Sequence, residues 1–405
     1  MAGINGGGMV SVGDGLAGSG AGRLLYVVND APFFLSHRLP VAIGAREAGY
    51  TVTVATPAHP AQREIEAAGL AFRPIPLSRS GAAPRAELRS LLALVRLYRN
   101  LRPDLVHQVT HKPILYGSLA ARVTGVSAVV NAVPGLGYLF VAEGVKARLR
   151  RRTVLAAYRL AFGHPMAMGI FQNTEDRDLF LSARVIRPDQ VAVIRGAGVD
   201  LRQFRPEPEP LGPPLVVLAS RLLWDKGVGE FVEAVGRLRS RGVRFRAALV
   251  GEPDPGNPRA IAVAQLERWR DSGVVEWWGF RPDMPAVLAG CHLVCLPSYY
   301  REGVPKVLIE AAASGRAIVT TDVPGCRDVV RHGQNGLLVP PRDVPALAAA
   351  LEALLADPSR RASMGQCGRE IAEAEFGLAG VVESTLALYR ELLNRVARRA
   401  STHPA

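Results

Sequence analysis

The chain has 405 residues, is 48% hydrophobic and 6% aromatic, and carries a formal net charge of +13. That is enough apolar material for two ordinary domains with full cores, and the basic balance points to anionic partners such as nucleotide phosphates, nucleic acid or an acidic membrane surface. No run of about 18 uninterrupted apolar residues occurs, which excludes a transmembrane helix; the nearest stretch, 153–171, is broken by Arg159, His164 and Pro165.

In chain order, residues 1–22 are Gly-rich, without the cationic start or apolar core of a signal peptide, and read as a disordered tail. RLLYVVN (23–29) has the pattern of a buried strand, SHRLPVAIGAREAGY (36–50) is amphipathic, and TVTVATP (51–57) is a second strand. Strand, helix and strand with short connections predict a parallel sheet. The alternation continues through a helix at 86–103, a strand at 104–111, a helix at 116–125 and a strand at 127–137 that runs into a Gly loop. The Pro-rich stretch FRPEPEPLGPP (204–214) can continue neither a helix nor a central strand. Strands are then expected at 214–220, 245–252, 274–280, 292–298 and 317–322, helices at 227–242 and 305–315, and a long helix at 378–400. The fold class is therefore α/β. We expect a tail at 1–22, a first doubly wound Rossmann-like domain at 23–205, a linker at 206–214, a second such domain at 215–380, and a helix at 381–405 packing back toward the first. In such sheets ligands bind at the carboxyl ends of the strands, and with two domains the natural site is the cleft between them.

Cys291 and Cys295 lie in an apolar strand-like run with no second Cys/His pair nearby, so buried strand thiols are expected rather than a metal pair. With Cys326 and Cys367 they suggest no disulfide framework, which implies a reducing cytoplasm. The carboxylates of 175–178 suit the first turn of a helix capped by Asn173 or Thr174 rather than a metal site.

In REGVPKVLIE (301–310), Pro305 suits a first helical turn and predicts a helix from about Val304 to Ser314. Its first N–H groups, from Val304 to Lys306, form an anion site suited to a diphosphate, and Gly303 would let a ligand approach. Glu310, roughly 7–8 Å along the axis, could accept two hydrogen bonds from a vicinal diol such as ribose. Glu302 could hold hydroxyls of an attached sugar. In ASRLLWDKG (219–227), Arg221 and Lys226 occupy a strand-to-helix loop where two cations would neutralise a departing diphosphate. His111 ends a strand, where catalytic groups collect, whereas His107 alternates toward the sheet interior.

These segments resemble a family 4 glycosyltransferase of the two-domain GT-B architecture. Glu302 and Glu310 match the ends of that family's E-x7-E motif, and SRLLWDKGVGEF (220–231) resembles its donor-phosphate loop. The resemblance implies a nucleotide-sugar donor, UDP-linked by preference, retention of anomeric configuration, and neither metal nor other cofactor. It gives Arg221, Lys226, Gly303, Val304, Pro305, Lys306 and Glu310 to the donor, and Glu302 and His111 to the sugar being transferred. HQVTHKPILYG (107–117) and NAVPGLGYLF (131–140) are similar to bacterial enzymes that act on undecaprenyl-diphosphate-linked intermediates in capsule, O-antigen and N-glycan assembly. A lipid-linked saccharide acceptor would lie by the Gly135–Gly137 loop. The basic stretch 145–160, with Arg150, Arg151 and Arg152, would meet an anionic membrane surface, which places the protein on the inner face of the plasma membrane. Two segments depart from the pattern: IRGAGVD (194–200) where many members have Asn-Gly, and NDAPFFLSHRLP (29–40), which lacks the Gly-Gly of many relatives. A UDP-sugar epimerase on the same scaffold and a non-catalytic nucleotide-sugar-binding protein remain alternatives. A nucleic-acid partner is not expected, because no aromatic-and-basic platform appears.

Overall fold

The computed structural model describes residues 21–78, 83–135, 144–301 and 303–402, with the backbone alone at 145–147. Glu302 and Gly137 therefore lie outside the described residues. Two parallel sheets organise the chain. The first holds β1 (Gly22–Val28), β2 (Tyr50–Thr56), β3 (Ala71–Pro74), β4 (Leu105–Val109), β5 (Ala128–Val133), β6 (Ala167–Phe171) and β7 (Val191–Val193), in the order β3-β2-β1-β4-β5-β6-β7. The second holds β8 (Leu215–Ala219), β9 (Arg246–Val250), β10 (Glu276–Trp277), β11 (Leu293–Leu296), β12 (Ala317–Thr321) and β13 (Gly336–Val339), in the order β10-β9-β8-β11-β12-β13. Helices cover both faces, so β4, β5, β6, β8, β11 and β12 are buried throughout, and their Val, Leu and Ala runs follow from having no solvent side. Strand order reverses between β1 and β4 and again between β8 and β11. Pairing of Val28 with Val109, and of Val294 with Val217, sets the carboxyl ends of each such pair side by side. These are the crevices where ligands bind in open α/β sheets.

Three segments differ from the sequence expectation. The first loop folds into a helix, Ala31–His37, whose Asp30 side chain caps Phe33 N–H at 2.7 Å. AMGIF becomes the buried strand β6, where a Cβ on Gly169 would lie 2.6 Å from Ile186 Cδ1 and 3.0 Å from the Phe162 and Phe171 rings. VVEWWGF contributes only Glu276 and Trp277 to the sheet.

The chain crosses between the sheets twice, and the crossings run together. Val199 N–H bonds Phe376 O at 2.9 Å, and Leu378 N–H bonds Val199 O at 3.0 Å. From there the helix Leu378–Thr402 lies against the first domain. Its Tyr389 hydroxyl is 2.8 Å from that of Tyr26 and also bonds His107 Nδ1. Gly44 admits it closely, since a Cβ there would sit 2.5 Å from Val382 Cγ1.

Candidate active site

The loop after β8 presents Arg221 and Lys226. Residues Trp224–Lys226 make a single 3-10 turn closed by Gly227 at φ +74°. A Cβ at Gly227 would lie 2.0 Å from Pro297 O, so this loop and the one after β11 fit together only with glycine there. Asp225 O accepts Tyr299 N–H at 3.1 Å and Ser298 Oγ–H at 3.2 Å, and its buried carboxylate takes Arg259 Nε at 2.9 Å. Lys226 Nζ stands 5.7 Å from the Tyr300 ring centroid. Arg221 is half-exposed and pairs with Asp254 at 2.7 Å. Asp254, Asp225 and Arg259 are partners the motif did not disclose.

The loop after β11 leads into the helix Lys306–Ala313. Here three expectations are corrected. The helix starts at Lys306, and Pro305, with φ −64° and ψ 121°, is the extended cap before it rather than a residue of its first turn. Val304 N–H is not open to an anion, because it donates to Gln172 Oε1 of the first domain at 2.8 Å. Gly303 is glycine because the first domain approaches it: a Cβ would lie 1.9 Å from Pro134 O and 2.1 Å from Gln172 Oε1. Arg301 crosses the same interface to Asp176 at 2.7 Å. Glu310 is buried one turn into the helix, with Lys306 Nζ at 3.1 Å. Burial pushes its carboxyl above the usual range, and Lys306 pulls the other way.

From the first domain, His111 opens the helix His111–Thr124 at the end of β4. The preceding Thr110 takes φ +76°, a strained conformation for a β-branched residue, and its hydroxyl donates to Asn29 Oδ1 at 2.8 Å. His111 Nδ1 bonds the Tyr158 hydroxyl. Burial lowers the pKa of His111 and raises that of Tyr158. His107 instead lies in the core, stacked on Tyr26. His37, at the end of the first helix, stacks on Phe33 with ring centroids 4.2 Å apart. Burial, then the charges of Arg38, Lys306 and Arg221, lower its pKa to about 3. Two of those cations, Lys306 and Arg221, belong to the second domain; the sequence reading left His37 without a role.

Gly135 follows β5 at φ +138°. The basic stretch is the helix Val145–Phe162, on which Arg148, Arg150, Arg152 and Leu149 are exposed. Arg151 is corrected: it is partly buried and does not share their outer face. Asn173 caps the helix Thr174–Ser182 by accepting Asp176 N–H at 2.7 Å, and the first-turn carboxylates Glu175 and Asp176 are taken by Arg327 and Arg301. Cys291, Cys295 and Cys326 are buried, and burial raises the Cys291 thiol to about 12. No described helix is long and apolar enough to cross a membrane.

Comparison with known proteins places this arrangement. Residues 23–162 match the family model described as glycosyl transferase 4-like, and residues 213–357 the model described as glycosyl transferases group 1. The chain is 28% identical over 384 residues to the N,N'-diacetylbacillosaminyl-diphospho-undecaprenol alpha-1,3-N-acetylgalactosaminyltransferase of Campylobacter jejuni, covering 90% of this chain and 99% of the relative. It is 33% identical over 216 residues to the MMP alpha-(1->4)-mannosyltransferase of Mycolicibacterium hassiacum, spanning about half of each chain, 52% and 51%. In structure it is similar to Anabaena HepE in complex with UDP and glucose (TM-score 0.72, 20% identity, 90% of this chain and 98% of that one). It is also similar to the sucrose-phosphate synthase of Thermosynechococcus elongatus (TM-score 0.76, 19% identity, 92% and 99%). Glycosyltransferase models thus cover β1 to β5 of the first sheet and all of the second, and the chain belongs to the family 4 glycosyltransferases, built on the GT-B architecture.

Proposed function

We propose that this glycosyltransferase moves a sugar, an N-acetylhexosamine or related hexose, from a UDP-sugar to a polyprenyl-diphosphate-linked saccharide, with retention of configuration and without a metal. The observation that carries the reading is the direct contact of strand-end loops from the two sheets: Val304 N–H bonds Gln172 Oε1 at 2.8 Å and Arg301 pairs with Asp176 at 2.7 Å, while the loop that bears Arg221 and Lys226 is joined to the same segment through Asp225 O and Tyr299 N–H at 3.1 Å. Cations so placed suit the diphosphate that leaves as the glycosidic bond breaks. Lys226 and Arg221 stabilise that charge, Glu310 holds the ribose, and His111 and Glu302 position the sugar. Tyr158 stays protonated at neutral pH, so its hydroxyl can donate to His111 Nδ1 and leave Nε2–H for a sugar oxygen or the developing charge. The acceptor class is supported by the similarity over nearly the full length to the Campylobacter enzyme. Radiolabelled UDP-sugars screened against short undecaprenyl-diphosphate-saccharides test the reading. Labelled lipid product is expected; epimerised donor without lipid product would sink it.

His111→Ala should lower kcat by about 10²-fold or more, the usual weight of a positioned acid–base or hydrogen-bonding group, with UDP affinity nearly intact because His111 belongs to the opposite domain. Calorimetry with UDP and steady-state rates check this; wild-type turnover would return His111 to a structural role.

A lipid-linked acceptor brings the helix Val145–Phe162 to the bilayer. Each cation near an anionic surface contributes about 1 kcal/mol, and exposed Leu149 can insert shallowly. The Arg148→Glu, Arg150→Glu, Arg152→Glu triple variant should therefore stop floating with anionic liposomes and lose activity on long-chain acceptors, while keeping it on a short soluble analogue. Flotation equal to wild type would exclude this face as the membrane contact.

A further inference from the structure

We propose that Gln172 and Asp176 are positioning residues: the turn after β6 in the first domain grips the segment that opens the helix Lys306–Ala313 and fixes where that helix begins. The role for catalysis rests on the reading above that this helix start belongs to the donor site; the grip itself does not.

The geometry is concentrated on one short turn. Gln172 Oε1 accepts Val304 N–H at 2.8 Å. Asp176 Oδ1 accepts Arg301 Nε at 2.7 Å, while its other oxygen takes Asn173 Nδ2 at 3.2 Å. The two acceptors thus hold the chain on both sides of Gly303, and Gly303 fits against Pro134 O with no space for a Cβ. The Asp176 side chain is 1% exposed and that of Arg301 19%. Burial raises the Asp176 carboxyl, and Arg301 opposes it. A buried pair with one member in each domain is costly to break, because either partner alone is left as a desolvated charge. A turn from the first domain therefore sets the position of a loop in the second. The consequence is that donor-site geometry is completed only when the two domains are in register.

Two measurements test this. Hydrogen exchange of the peptide 301–308 needs no ligand. In the wild type the Val304 amide should be protected, and Gln172→Met, which removes the acceptor at similar volume, should speed its exchange by about tenfold, as loss of one hydrogen bond allows. Exchange in Gln172→Met equal to wild type overturns the grip. Turnover on a UDP-sugar and a short undecaprenyl-diphosphate-saccharide tests the role. Arg301→Gln leaves the buried Asp176 carboxylate without its cation, so its fold is first verified by circular dichroism; the folded variant should show kcat lowered about ten- to a hundredfold, as expected when a reacting geometry shifts by about 1 Å, with the donor KM changed less. Arg301→Lys, which keeps a cation within reach of Asp176, should recover most of it. Wild-type kcat in Arg301→Gln, or no recovery in Arg301→Lys, overturns positioning. A wild type silent on all UDP-sugars would instead strike the proposed function, leaving the exchange experiment to decide the grip.

Discussion

Lys226→Ala should reduce kcat by about 10²- to 10³-fold, the usual cost of removing one preorganised group that faces charge developing in the transition state. Its ammonium is carried by a turn with little freedom. Gly227 closes that turn against Pro297 O, Asp225 O holds Tyr299 and Ser298, and Arg259 pins the Asp225 carboxylate. Little reorganisation is therefore needed as the diphosphate departs. Arg221→Ala should cost less, because Asp254 at 2.7 Å already balances part of its charge. Steady-state rates at saturating substrates check both. The wild type should keep its activity after thorough chelation; complete inhibition by EDTA, reversed by magnesium or manganese, would overturn the assignment of leaving-group stabilisation to these side chains.

Glu310→Gln should weaken UDP binding about ten- to a hundredfold, since a hydrogen bond to a charged group contributes about 1.5–3 kcal/mol. The carboxylate is buried and oriented by Lys306 at 3.1 Å, one turn back on the same helix. Calorimetry on a folded variant checks this, and unchanged affinity would remove Glu310 from the ribose. Its titration offers a second test. Because burial raises the folded pKa, the ionised carboxylate lowers stability above that pKa, and this cost fades as pH falls through it. Binding runs the other way: ribose needs the carboxylate, so affinity should fall as pH drops through the same raised pKa. Measured with uridine, which has no phosphate to titrate, the fall should appear in the wild type and be absent in Glu310→Gln.

Local patterns made much of the fold legible. Val- and Leu-rich runs such as RLLYVV and LVVLA predicted buried parallel strands because a sheet covered on both faces leaves no polar side to alternate with. The 219–227 and 301–310 segments were legible for the same reason, since a strand end, a glycine, cations and carboxylates lie within a few residues of one another. Other features depended on distant partners. Gly303 reads as room for a ligand until Pro134 is seen against it. Val304 reads as a free helix-end donor until Gln172 is found beneath it. AMGIF resembled no strand because Ala167 and Gly169 give it little β-propensity, and its pairing with β5 on one side and β7 on the other is not visible locally. The first helix carried a legible signal, an Asp followed by Ala-Pro, that its short length obscured.

The helix Leu378–Thr402 has a consequence for how the protein is made. Tyr389 completes hydrogen bonds at the centre of the first sheet, reaching both Tyr26 and His107. A ribosome supplies that residue long after it has finished β1 through β7, whereas β8 through β13 and the helices that cover them emerge as one unbroken segment. Domains usually fold in order of synthesis; here the second can close its core first, while the first waits with Tyr26 and His107 uncovered. A chain truncated after residue 377 should thus carry a protease-resistant second domain beside a protease-sensitive first, and docking of the helix Leu378–Thr402 becomes the step that seals the half begun earliest.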